Sequence, residues 1–303
     1  MPLSRNATGA VFMASAMASF AVGDTMSKFL VADMNVGQII FLRGIAATCF
    51  TAILVWRLRA FCPLRNLLDK MLFLRIGCEI LATTTYITAL GLTPFANVSA
   101  IQQAIPLVVT IGAAVFFREL VGWRRWSAIF VGLIGVMIIL RPGSDAMTTG
   151  ALLALAGMLF TAARDLSTRA VSPAIPSSII TFCTSLTITI VGGLIVHPLG
   201  GWVPVATVNW GFLCIGAVAA MTGYQFAILA MRTGEVSFVS PMRYLSLIFS
   251  AVAGFVVFGE YPDSATLLGA AIVIGAGLYT IYREARRKQS LTAPPLVGPR
   301  ITR

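Results

Sequence analysis

Two oppositely charged residues lie inside the first apolar stretch of the chain. Asp24 and Lys28 are four residues apart, so on a helix their side chains fall on one face, one above the other. A charge at the centre of a bilayer costs at least about 2.5–3.5 kcal/mol, and such a group usually faces a bundle interior or a watery cavity. Two interpretations are open: a self-neutralising pair near the outer end of the helix, or a pair of which one member also meets a substrate or a proton.

Three further charges lie deeper within apolar stretches. Arg43, Glu79 and Arg243 each lie seven or eight residues from the start of a stretch, which corresponds to about 10–12 Å of helix. We expect them to find partners on other helices, with Glu79 pairing with Arg43 or Arg243. The pair could be purely structural or part of a polar cavity, and Glu79 is the best candidate for carrying a coupling proton.

Other charges lie toward the predicted cytoplasmic ends of their stretches. Arg164, Asp165 and Arg169 leave one positive charge unmatched, and a long arginine side chain can extend to the membrane surface there. We therefore expect Arg164 and Arg169 to reach toward the interface, and Arg75 to act as a boundary anchor.

Polar residues accompany prolines in the fourth and ninth stretches. Pro106 and Pro241 lack the N–H of a helical residue and free a carbonyl group one turn earlier, which serves either a ligand or a kink for packing. Tyrosine rings suit a flat heterocycle, although aromatic residues also fill helix bundles. The predicted substrate-binding residues are Asp24, Lys28, Arg43, Glu79, Tyr86, Gln102, Gln103, Tyr224, Arg243 and Tyr244.

The elements that position these residues are membrane-spanning helices. The 303 residues are 58% hydrophobic and only 11% charged, with a mean hydropathy of +0.89. Soluble domains carry about twice that charged fraction, so the composition excludes a soluble globule. Ten stretches are long and apolar enough to span a bilayer, which predicts an all-α membrane protein. They cover residues 9–31, 36–56, 71–91, 95–117, 124–140, 149–171, 177–197, 209–231, 236–258 and 264–282.

The net charge of +11 is explained by membrane topology. Of the 22 Lys and Arg residues, 15 fall in the termini and loops on one side, six lie within the stretches, and Arg141 alone lies in the opposite loops. This asymmetry predicts that both termini are cytoplasmic and argues against a nucleic-acid partner. The single histidine, the scattered cysteines and the absence of nucleotide or hydrolase motifs predict no metal site and no cofactor.

The two halves of the sequence resemble each other at a shift of about 140 residues. Tyr86 and Val98 recur with the same spacing as Tyr224 and Val236, and Asp24-x3-Lys28 recurs as Asp165-x3-Arg169. Each copy also ends on an acidic residue, Glu119 or Glu260. Because five spans is an odd number, the second copy is inverted, an arrangement frequent among secondary transporters. We predict repeats at 1–145 and 146–285, followed by a disordered basic tail at 286–303.

Three segments resemble the drug/metabolite transporter superfamily, specifically its EamA-type ten-helix carriers. They are DTMSKFL (24–30), FFRELVGWRRWSAIFVGLIGVMIILRP (116–142) and SPMRYLSLIFSAVAGFVVFGEYPDSATLLGA (240–270). The resemblance implies inner-membrane secondary transport through a central cavity lined by spans 1, 3, 4, 6, 8 and 9. The segments look most like S-adenosylmethionine uptake carriers, with riboflavin carriers next.

The expected function is therefore alternating-access transport of a small organic metabolite, with protons as a possible coupling ion and a homodimer as a possible assembly. The alternative within this class is an exporter of amino-acid-like metabolites or drugs. A membrane-embedded enzyme is the alternative of another class, although the sequence shows no nucleophile–base pair. A passive channel is disfavoured by the repeat.

Overall fold

The computed structural model describes residues 5–118, 122–141, 148–233 and 240–292, and within them it is helical without a β-strand. Glu119 and the chain after Thr292 lie outside these ranges. The helices are α1 (Arg5–Asp33), α2 (Val36–Leu58), α3 (Lys70–Leu92), α4 (Phe95–Gln102), α5 (Ile105–Phe116), α6 (Trp123–Leu140), α7 (Thr149–Ala170), α8 (Ser177–Val196), α9 (Thr207–Thr233), α10 (Leu245–Phe258) and α11 (Ser264–Thr292), with short 3-10 segments at Leu64–Leu68 and Ser240–Tyr244.

The ten predicted stretches appear as ten helical passes of the described chain. The fourth pass consists of α4 and α5, and the ninth consists of the 3-10 segment Ser240–Tyr244 followed by α10. Seven of these passes are long and apolar enough to cross a membrane, and shorter apolar helices lie at Met242–Phe258 in the ninth pass and at Ser264–Thr280 in the tenth. The remaining pass is α3, which carries three charged residues. The protein is thus an all-α, multi-pass membrane protein.

The ends of the helices follow local capping rules. Asn35 accepts a hydrogen bond from the N–H of Gln38 (2.9 Å) at the start of α2, and Thr148 accepts one from Ala151 (3.2 Å) at the start of α7. Helix α11 continues to Thr292, so the first residues of the predicted disordered tail (286–303) are helical. The reason is local: residues 283–289 are good helix formers, and no proline occurs before Pro294.

The fourth pass breaks where its proline requires it. Pro106 is the second residue of α5 and cannot donate to the carbonyl of Gln102. The N–H groups of Gln103 and Ala104 instead bond to carbonyls three residues earlier, at 3.2 and 3.1 Å. The ninth pass is irregular in the corresponding part of the second half. Paired interruptions of this kind are a pointer to a transporter's binding site.

The helix packing repeats between the halves. The most extensive pairs are α1 with α9, α3 with α7, α2 with α8, and α6 with α11. Exchanging the halves turns the α1–α9 pair into the α7–α3 pair and leaves the other two pairs unchanged. Thr48 and Thr189, which are 141 residues apart, share a hydrogen bond of 3.0 Å between α2 and α8. The packing therefore follows the repeat seen in the sequence.

Small residues allow the closest of these helix crossings. A Cβ atom on Gly135 would lie 2.8 Å from the carbonyl oxygen of Gly269, and one on Gly269 would lie 2.6 Å from that of Gly135. Backbones that approach this closely gain dispersion contacts, which drive helix association in a bilayer. The largest buried cluster lies beside this crossing and includes Phe95, Ile101 and Val273.

Candidate functional site

Asp24 is held by a tyrosine from another helix. The hydroxyl of Tyr86 on α3 donates to Asp24 Oδ2 on α1 at 2.8 Å. Lys28, one turn along α1, does not pair with Asp24 but with Glu260. Of the two interpretations left open by the sequence, the self-neutralising Asp24–Lys28 pair is therefore wrong, because the packing brings the carboxylate of Glu260 to Lys28.

Arg43 approaches the same face of α1. Its guanidinium donates to the hydroxyl of Ser27, which is buried and also donates to the carbonyl of Gly23 (2.8 Å). Ser27 lies three residues after Asp24, so the two share one face of the helix. Arg43 thus lies near Asp24 and within its electrostatic range, yet the two do not form an ion pair.

Glu79 forms an ion pair with Arg164 of α7. One guanidinium nitrogen of Arg164 lies 3.1 and 3.3 Å from the two carboxylate oxygens of Glu79, and two of its nitrogens lie 2.9 and 2.8 Å from Asp165 Oδ1. The predicted partners Arg43 and Arg243 are therefore wrong. The cause is the helix packing: α3 lies against α7, so Arg164 faces Glu79 and bridges two carboxylates rather than extending to the membrane surface.

Arg75 links three helices through hydroxyl groups. It donates to Thr168 of α7 at 2.9 Å and to Thr184 of α8. Glu79 is only one turn away along α3, and the two interact electrostatically. The expected boundary anchor is thus part of the polar interior.

Tyr224 on α9 is exposed although it lies among charged residues of other helices. Its side chain is 61% exposed, yet its ring packs edge-on against Phe20 of α1 at 5.2 Å. It also lies within electrostatic range of Glu79, Arg164 and Arg43, which come from three other helices. Charges from several helices around an exposed ring are what a polar binding surface needs, so we include Tyr224 in the candidate site. We call Asp24, Arg43, Glu79, Tyr86, Arg164 and Tyr224 the central cluster.

Lys28 belongs to a separate contact at one end of the bundle, where α1, α3 and α10 end and α4 begins. We call this the outer end, following the charge asymmetry. Lys28 pairs with Glu260, donates to the carbonyl of Thr93 (3.4 Å) and lies 4.9 Å from the ring of Phe258. Glu260 also accepts from the N–H of Phe95 at 2.8 Å. We call the Lys28–Glu260 pair the outer lock, because it joins the first, fourth and ninth passes.

The glutamines of the fourth pass lie where that pass meets the ninth. Gln103 donates to Ser246 Oγ of α10 at 2.6 Å, and Gln102 Oε1 is buried without a hydrogen-bond partner in the described chain. The hydroxyl of Tyr244 is likewise buried and unpartnered, packed against Gly277. Arg243 is exposed. No hydrogen bond or ion pair among the described residues joins these four to the central cluster.

Some members of the site were not predicted as substrate contacts. Arg164 and Asp165 had a sequence signal, since Asp165 is the repeat counterpart of Asp24, but they were assigned to the membrane surface. Ser27 precedes Lys28 as Thr168 precedes Arg169, and both hydroxyls accept from arginines. In both repeats a hydroxyl residue directly precedes a basic residue. This repeated pair of residue types was therefore the sequence signal for the hydroxyls that hold the arginines of the site.

A bundle of ten helical passes, with two interrupted helices and a cluster of charged residues from several helices, has the features of a membrane transporter. The chain belongs to the EamA-like transporter family, because the sequence model of that family matches it twice, at residues 7–141 and 148–283. The family points to transport rather than to an enzymatic reaction.

Several curated proteins are similar to this chain. A riboflavin transporter of Rhizobium johnstonii is 30% identical over 215 residues, covering 71% of each chain. An S-adenosylmethionine uptake transporter of Rickettsia felis is 26% identical over 297 residues, covering 92% of this chain and 94% of its own. A pseudopaline exporter of Pseudomonas aeruginosa is 24% identical over 274 residues. A solved crystal structure with 17% identity covers 92% of this chain and 98% of its own at a TM-score of 0.63, which supports the fold.

Proposed function

We propose that the chain takes up a heterocyclic metabolite, of the class of S-adenosylmethionine or riboflavin, by alternating access across the inner membrane with both termini in the cytoplasm. The observation that carries the proposal is the central cluster, where an exposed tyrosine is surrounded by charges from several helices. Charged groups can bind the ionic parts of a metabolite, and the rings of Tyr86 and Tyr224 can pack against a flat one.

The two ends of the bundle differ in a way that supports alternating access. At the outer end, the outer lock connects the first, fourth and ninth passes, and between it and the middle of the bundle the Tyr86–Asp24 hydrogen bond connects the first and third. Tyr224, which lies toward the opposite end of α9, is exposed. We infer a state closed at the outer end and open toward the cytoplasm, from which transport requires the outer lock to break.

Transport in liposomes tests this proposal directly. Purified protein is reconstituted, and uptake of labelled S-adenosylmethionine and riboflavin is followed with and without a pH gradient. We expect saturable uptake of one of them, with loss of most activity in Glu79→Gln or Arg164→Gln. An Arg141→Gln variant is the control, because Arg141 pairs with Asp263 at the outer surface, away from the central cluster. If neither compound moves under either condition, the proposed substrate class is wrong.

Export is the second candidate, and the similarity to the pseudopaline exporter favours it. The same liposomes decide between the two directions. Uptake predicts net movement from the outer to the cytoplasmic face under a proton gradient directed inward, whereas export predicts net movement the opposite way. Protease protection of a tagged terminus gives the orientation of the protein in each preparation, and light scattering in detergent tests for a homodimer.

A further inference from the structure

Asp24 and Arg43 of the central cluster carry opposite charges, and among the described residues neither has an ion-pair partner. Asp24 accepts one hydrogen bond, from Tyr86, and Arg43 donates one, to Ser27. Neither forms an ion pair. By contrast, Glu79 and Asp165 both form ion pairs with Arg164, and Lys28 forms one with Glu260, so each of these charges has an ion-pair partner within the protein.

The arrangement places the two groups a short distance apart. Ser27, the partner of Arg43, lies less than one turn from Asp24 on α1, and residues three apart on a helix have Cβ atoms about 5–6 Å from each other. The guanidinium of Arg43 therefore ends near the carboxylate of Asp24 without forming an ion pair with it.

Unpaired charges in a membrane protein's interior are costly, and a ligand that neutralises both gains that free energy on binding. A simple anion bound by Arg43 would be repelled by the like charge of Asp24. A simple cation bound by Asp24 would be repelled by the like charge of Arg43. A neutral ring would leave both charges unpaired. A group that carries an ammonium and a carboxylate on one carbon atom matches both, because a guanidinium binds a carboxylate through parallel hydrogen bonds and Asp24 accepts from an ammonium.

We infer that Asp24 and Arg43 bind the α-ammonium and α-carboxylate groups of the substrate, so the cargo is a metabolite that bears an α-amino-acid group. Tyr86 positions the Asp24 carboxylate, and Ser27 positions the Arg43 guanidinium. The inference rests on the proposed function and narrows it, since S-adenosylmethionine carries such a group and riboflavin does not.

The first experiment compares the binding of three compounds to the unaltered protein, and variants of the protein follow. Equilibrium binding to the purified full chain in nanodiscs is measured for S-adenosylmethionine, for methylthioadenosine, which keeps the adenosine and sulfur but lacks the amino-acid group, and for riboflavin. We expect S-adenosylmethionine to bind at least tenfold more tightly than the other two. Because this comparison uses only the unaltered protein, it does not depend on the folding of any variant.

Variants then assign the contacts. Arg43→Gln and Asp24→Asn should each weaken binding of S-adenosylmethionine by tenfold or more while changing that of methylthioadenosine less than threefold. Arg141→Gln and Asp263→Asn, the matched changes in the surface pair, should leave both affinities unchanged. Two outcomes overturn the inference but leave the proposed function standing. One is riboflavin binding as tightly as S-adenosylmethionine, and the other is equal affinity for S-adenosylmethionine and methylthioadenosine. Binding of none of the three overturns both.

Discussion

Tyr86 and Tyr224 occupy equivalent positions in the two repeats but have opposite environments. Tyr86 donates to Asp24 at 2.8 Å, whereas Tyr224 is 61% exposed and Asp165, the counterpart of Asp24, bonds to Arg164 instead. Two copies of one motif thus adopt two conformations in one molecule. In an inverted repeat, exchanging these conformations between the copies converts a structure closed at one end into one closed at the other.

Breaking the outer lock should shift the protein toward the outward-open state. In a cysteine-free background, Thr93→Cys places a thiol at a buried position next to Lys28. We expect Lys28→Gln to raise its labelling by a membrane-impermeant maleimide several-fold, because the carboxylate of Glu260 then loses its counter-charge.

The charge-swapped pair Lys28→Glu with Glu260→Lys should return the labelling toward its original rate. Arg141→Gln removes another ion pair at the same end and serves as the control. Equal labelling in all four proteins would show that the lock does not control access.

Arg164 should contribute more to stability than either of its partners. Removing Arg164 leaves Glu79 and Asp165 without their ion-pair partner, whereas Glu79→Gln leaves Arg164 still paired with Asp165. Since these side chains are partly exposed, we expect Arg164→Gln to lower the free energy of unfolding by about 1–3 kcal/mol and Glu79→Gln by less. Unfolding titrations in mixed detergent micelles measure both values, and a larger loss in Glu79→Gln would contradict the assignment.

Glu79 remains the predicted proton carrier. If it binds the coupling proton, Glu79→Gln should abolish the stimulation of uptake by a pH gradient and preserve exchange of labelled for unlabelled substrate at equal pH. Asp263→Asn is the control for loss of a carboxylate outside the interior. Uptake by Glu79→Gln that still responds to the gradient as the unaltered protein does would assign the proton to another residue.

Asp69 should stabilise the fold in a pH-dependent way. Its carboxylate accepts from the N–H groups of Ser172 (3.0 Å), Met71 (2.7 Å) and Leu72 (3.3 Å), and these hydrogen bonds hold its pKa below the usual 3.8. A group whose pKa is lower in the folded state contributes stability above the unfolded-state pKa and loses it as the pH falls through the folded-state value.

The melting temperature of Asp69→Ala should therefore lie below that of the unaltered protein by a constant amount above about pH 5, and the difference should shrink on further acidification. Lys70→Gln changes an exposed neighbour that does not cap α3, and its difference should not vary over this range. A difference for Asp69→Ala that does not decrease in acid would show that the ionised carboxylate is not what stabilises this loop.

The α6–α11 crossing should not tolerate a methyl group. Gly135→Ala would place a Cβ atom 2.8 Å from the carbonyl oxygen of Gly269, so the helices must separate, at a cost of about 1–3 kcal/mol. Gly275→Ala is a control on α11 itself, because no atom lies within 4 Å of its added Cβ. We expect the control to be neutral or slightly stabilising, since alanine favours a helix. Equal melting temperatures for both variants would contradict the close crossing.

The sequence predicted the passes and the repeat because hydropathy and spacing act locally. The partners of the charges were harder to predict, because they depend on which helices pack together. Glu79 had several arginines available by charge alone, and only the packing of α3 against α7 selects Arg164. Lys28 shows the same competition: one helical turn separates it from Asp24, but the end of the ninth pass brings Glu260 to it.

The hydrogen bond between Thr48 and Thr189 joins two residues that are separated by the offset of the repeat and lie on α2 and α8, so it is made by equivalent atoms of the two halves. If the two repeats exchange their conformations, this contact is formed by the same two residues before and after the exchange. Substitutions there should therefore change the energies of the inward-open and outward-open states by the same amount, whereas substitutions in the outer lock change one state more than the other. The α2–α8 contact thus offers a way to adjust the overall stability of the transporter without altering the equilibrium between its two access states.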